Sequence, residues 1–194
     1  WTLLQQHFFI RRLAAVLALG GMALAGKGLV MKPYLASYFG IGRTDQSFLV
    51  PICVPSAALC FTVGMSTTVH RFGEVPVLKV SMVMSMLMSL SLVSASAYWQ
   101  ILAAYALLAG PSFMYLPLVM AIKSNLVSDE DQGKVQGLIS AVKTIATTAA
   151  DVIFGKLYRE STDGGRHPEG AKTSLWLVVV LGFVAACVAA TLPT

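Results

Sequence analysis

Six predominantly apolar runs, each near the length of about 20 residues that a helix needs to cross a hydrocarbon core, succeed one another with short connections between them. They lie at roughly 12–38, 46–69, 75–95, 98–123, 136–158 and 173–192. Composition fits the same solvent. Of the residues 56% are hydrophobic and 12% charged, and mean hydropathy is +0.73; a soluble domain carries about twice that charged fraction. Residues 1–194 are therefore expected to form a single all-α, six-helix transmembrane domain with the lipid bilayer as its first partner. The alternation over about ten residues that marks a membrane barrel strand is absent. The net charge of +5 comes without a basic run or an aromatic ladder, so nucleic acid is not an expected partner.

Residues 7–25 imitate a secretory signal: His7, Arg11 and Arg12, then an apolar run, then Ala23-Leu24-Ala25. The run continues apolar to about Tyr38, so it reads as a retained span. Turn signals mark the connections: Gly40 to Asp45, His70 to Glu74, and Ser94 to Ala97 with Tyr98 and Trp99 as interfacial aromatics. Ser128 to Gln132 is an acidic cap that starts a helix by Lys134, and Arg159 to Lys172 is the one truly hydrophilic loop. Small residues such as Gly21, Ala25 and Gly28 share a face, and Ser and Thr recur within the runs, as packed membrane helices require. Prolines 33, 51, 55, 111 and 117 are expected to bend helices that neighbours re-satisfy. Lys and Arg divide almost equally between the two sides, so charge does not orient the chain.

Charges at bilayer depth are costly, which makes them informative. Asp151 lies well inside the fifth run among Ala150, Val152 and Ile153, and Lys143, Thr147 and Asp151 repeat at four-residue spacing along one face. That stripe is either a polar wall of a solute or proton route or one side of a structural ion pair. Lys27 lies deep in the first run between Gly26 and Gly28. It either pairs with Asp151 or extends its stem to the interface, the second reading being slightly favoured.

No nucleophile elbow, phosphate loop or metal-ligand spacing occurs, so neither enzymatic activity nor a cofactor or metal is expected. Cys53, Cys60 and Cys187 read as free buried thiols. The methionines, including 82, 84, 86 and 88, alternate in a way that favours packing over ligation.

Two connections carry a resemblance. Ser66 to Glu74 resembles the loop motif of the major facilitator superfamily: Arg71 and Gly73 match, while His70 stands where that motif has an acid. Pro117 to Gly137, through Gln132 and Gly133, looks like the loop between helices ten and eleven of tetracycline-resistance-type and hippocampus-abundant-transcript-type members. The segment Phe154-Gly155-Lys156-Leu157-Tyr158 resembles helix eleven of that group, without the proline expected shortly before it. The resemblance implies that residues 10–192 are helices seven to twelve, arranged as two inverted three-helix repeats with solute held near the midplane. It places the chain start, the 70–79 turn and the 123–134 loop in the cytoplasm, with His70, Arg71, Gly73, Gln132 and Gly133 at a gate that Arg71 latches.

Two functions follow as expectations. The chain is half of a secondary transporter moving a small organic solute, with Lys27, Lys143, Thr147 and Asp151 in its cavity and a second six-helix half as partner. Alternatively, it is a transport-inactive structural subunit of a larger membrane complex. The resembled proteins have about twelve spans against six here, so either a further half lies outside this chain or six helices suffice.

Overall fold

A computed structural model describes residues 2–42, 46–126, 129–162 and 170–193, and the described regular elements are all helical, without a strand. Six helices are long and apolar enough to cross a membrane: α1 (Phe8–Phe39), α2 (Leu49–Phe72), α3 (Glu74–Ser94), α4 (Tyr98–Asn125), α5 (Gln132–Thr162) and α6 (Ala171–Ala190). Their limits fall within about four residues of the apolar runs. The helix containing α5 starts at Asp129. Arg43, Val127, Ser128, and Arg166 and His167 of the hydrophilic loop lie outside the described residues.

The prolines act unequally. α1 runs unbroken through Pro33. α2 carries Pro55 and then a π-helical turn at Cys60–Gly64, a local widening of the kind that relieves a disturbed backbone ladder. α4 breaks at Met114, between Pro111 and Pro117. There Ser81 Oγ of α3 donates to the Pro111 carbonyl at 2.7 Å, so a neighbouring helix satisfies an acceptor at the break. Elsewhere the Ser and Thr hydroxyls mostly bond back to their own helix, as Ser89 Oγ does to the Ser85 carbonyl at 3.0 Å.

A single residue joins α2 to α3. Gly73 adopts φ +84° and its N–H donates to the Val69 carbonyl at 2.8 Å, a left-handed cap that favours glycine. The 95–97 turn is closed by Gln100, whose Oε1 accepts the Ser96 N–H at 2.8 Å.

Packing proceeds around an arc. α1 lies against α5 and α6, α4 lies against α2 and α3, and α3 packs on α6 to join the two groups. The order is thus α5, α1, α6, α3, α4, α2. Two glycines allow the closest approaches. A Cβ on Gly26 would stand 2.3 Å from the fully buried ring of Phe154 in α5. A Cβ on Gly110 would stand 2.3 Å from the Ser56 carbonyl oxygen in α2. Small residues thus set the α1–α5 and α4–α2 distances. Toward one end the core gathers Leu13, Leu17, Leu78, Tyr115 and Leu118; toward the other, Val30, Tyr34, Leu92, Ile101 and Leu175. The outer faces of α3 and α6 expose apolar side chains, among them Val80, Leu87, Val180 and Phe183.

Candidate functional site

The two ends of the arc remain uncovered. None of the residues in the most apolar stretch of α2 is buried, and fewer than a quarter of those in α5 are. The open side of the bundle therefore lies between these two helices, with α1 and α4 behind them.

On α5 the exposed surface divides into two faces. Leu138, Ile145 and Val152 form an apolar one at seven-residue spacing. Ser140, Thr144, Thr148 and Asp151, with Gly133 and Gly137, form a polar or side-chain-free one about a quarter turn round the helix, the two meeting where Thr148 and Val152 line one shallow groove. Lys143 and Thr147 sit at the inner edge of this polar face. A Cβ on Gly21 would meet Thr147 Cγ2 at 3.7 Å and Lys143 Cγ at 4.0 Å, so both pack across α1. Thr147 Oγ1 donates to the Thr144 carbonyl at 3.0 Å. Asp151 continues the stripe one turn further and is exposed. The structure thus brings Lys143, Thr147 and Asp151 together on the edge of the open side.

Lys27 belongs elsewhere. It is 5% exposed, which corrects the expectation that its stem reaches out to the interface. It also forms no pair with Asp151. Its Nζ donates to Met88 Sδ of α3 at 3.6 Å and lies 5.8 Å from the centroid of the Phe113 ring in α4. Ser112 Oγ reaches the same sulfur at 3.5 Å. The cause is helical phase. Gly26 faces α5 and Gly28 faces open space, so Lys27 between them points inward, where α3 and α4 close over it. Met88 is accordingly more than packing filler: its thioether is the acceptor for a buried ammonium.

The expected gate residues gather at the end where α2, α4 and α6 terminate and α1, α3 and α5 begin. His70 and Arg71 are exposed in the last turn of α2, and a Cβ on Gly133 would meet only open space. Arg71 makes no hydrogen bond or ion pair with the described residues. The tie across this end runs instead from Asn125 Nδ2 to Glu74 Oε1 at 2.9 Å. Lys123 Nζ donates to Gln136 Oε1, fixing the end of α4 to the first turns of α5. Arg12 donates to the Thr191 carbonyl beyond α6 and stacks over the Phe8 ring at 4.0 Å. At the opposite end Lys172 Nζ donates to Tyr38 Oη at 2.8 Å, where Tyr38 stacks on Tyr34 and Phe39 meets both rings edge-on.

One feature of the open side escaped sequence reasoning. A cleft of about 1150 Å³ runs between the second half of α1 and the start of α2, lined by Gly28, Met31, Lys32, Leu49, Val50 and Tyr105 among others. Lys32 is exposed there. Its place four residues beyond Gly28 was the available signal, since that spacing puts both on one helix face. No family model, no curated protein and no solved structure matches this chain.

Proposed function

We propose that the chain is a multi-pass membrane domain forming half of a major-facilitator-type secondary transporter, and that it moves a small organic solute by alternating access. The observation that carries this reading is the two-faced surface of α5. A helix wholly in lipid has no use for a face of Ser140, Thr144, Thr148 and Asp151 beside one of Leu138, Ile145 and Val152. A helix lining a water-filled route needs both.

The packing order supports an internal repeat. Exchange of α1 with α4, α2 with α5 and α3 with α6 leaves the neighbour relations unchanged, because α1 on α5 and α6 becomes α4 on α2 and α3. Each central helix carries a glycine at a tight crossing, Gly26 and Gly110, followed seven residues later by a proline, Pro33 and Pro117. Three helices per repeat give the second copy the opposite orientation, the arrangement in which solute lies between halves near the midplane. A second six-helix half would cover the free sides of α2 and α5.

The test is access to Thr148. In a variant lacking Cys53, Cys60 and Cys187, Thr148→Cys in sealed membranes is treated with a membrane-impermeant maleimide from either side. Alternating access predicts labelling from both sides. Labelling from one side only would support a fixed structural subunit, and labelling from neither would remove the water-lined route.

A further inference from the structure

We infer that the cleft between α1 and α2 binds an amphiphilic monoanion, its charged head at Lys32 and its hydrocarbon body along Met31, Leu49, Val50 and Tyr105. This rests on the transport reading in that the cleft lies on the same open side, and it names the class of solute that side takes.

Three observations converge on one ligand chemistry. The first is shape. Gly28 sits in the second half of α1, and a side chain there would meet nothing within 4 Å, so the missing Cβ deepens the floor of the cleft. The second is lining. Met31, Leu49, Val50 and Tyr105 are predominantly hydrocarbon and suit an apolar body. The third is charge. Lys32 is exposed to the cleft, its ammonium has no hydrogen-bond or ion-pair partner among the described residues, and no carboxylate is among the described lining residues. Its carbonyl is already engaged, accepting from Gln46 Nε2 at 3.2 Å; the same amide donates to the Ile41 carbonyl at 3.0 Å. That tie holds Gln46 at the cleft, beside a Lys32 side chain that no described residue engages. A lone ammonium above an apolar groove is complementary to one negative head on one hydrocarbon tail. Such an amphiphile comes from two sources, a free organic acid or an anionic phospholipid.

The experiment measures binding of radiolabelled decanoate and of its neutral twin decanol to the chain in phosphatidylcholine nanodiscs, with empty nanodiscs subtracted. Lys32→Gln should weaken decanoate by about tenfold, the effect of removing one charge-assisted contact, and leave decanol unchanged. Lys32→Arg should restore decanoate. Val50→Trp, which fills the groove, should weaken both. Replacing part of the phosphatidylcholine by phosphatidylglycerol sorts the sources: displacement of decanoate identifies a lipid head as the occupant, and no displacement a free acid. Equal decanoate binding by wild type and Lys32→Gln overturns the proposal, as does wild type that retains neither decanoate nor phosphatidylglycerol. No flux is involved, so the two readings fail separately. Lys32-dependent binding with one-sided access at Thr148→Cys removes transport and keeps the site; the reverse pattern removes the site alone.

Discussion

α1 and α2 have equal mean hydropathy, yet half of the most apolar stretch of α1 is buried inside the bundle and none of that of α2 is. In water such a difference would be an anomaly, since apolar surface is driven inward. In hydrocarbon a Leu facing lipid and a Leu facing protein differ little, so what places a helix at the centre is how closely it is approached. α1 offers Gly20, Gly21 and Gly26 to Tyr115, Thr147 and Phe154 on α4 and α5. α2 is approached closely where Ser56 and Cys60 meet Gly110. Small residues, not hydropathy, separate the hub from the rim.

The largest expected effect falls on the hub. Phe154→Ala empties the volume against Gly26 and should cost about 4 kcal/mol of unfolding free energy in mild detergent. Next comes the crossing that holds the rim. Gly110→Ala places a methyl against the Ser56 carbonyl oxygen, a backbone atom that moves only with its helix, and should cost about 2–3 kcal/mol. A loss as small as that of a surface change would show that α2 is not docked there. Lys27→Met should leave stability unchanged or raise it by about 1–2 kcal/mol, because a buried ammonium whose acceptor is a thioether is exchanged for an apolar side chain. A large loss would instead reveal a carboxylate partner. The smallest effect belongs to Gly28→Ala, which meets open space and should fall within about 0.5 kcal/mol. The contrast between Gly26 and Gly28, two residues apart, sharpens the comparison within α1 itself.

How much of this was legible in the sequence follows from the same physics. Run length and apolarity located all six helices, because crossing hydrocarbon is a property of each helix alone. The stripe of Lys143, Thr147 and Asp151 was also legible, since spacing along one helix defines a face without reference to neighbours. Burial was not. Lys27 read as slightly more apt to reach the interface, which is sound for an isolated helix, but Met88 and Phe113 from α3 and α4 close over it. The cleft at Lys32 was not legible either, because only the course of α2 past α1 forms it. The prolines show the same limit. Pro33 leaves α1 intact while Pro111 and Pro117 flank a break in α4. The difference rests on neighbours such as Ser81, which no local pattern encodes.

The central claim is that the polar face of α5 meets water while its apolar face meets lipid. Spin labels at Thr144, Ile145, Thr148 and Val152, one at a time in the cysteine-free chain in liposomes, test it through paramagnetic relaxation by oxygen, which concentrates in lipid, and by a nickel chelate, which stays in water. The account predicts nickel-dominated relaxation at 144 and 148 and oxygen-dominated relaxation at 145 and 152. Oxygen-dominated relaxation at all four positions would contradict it.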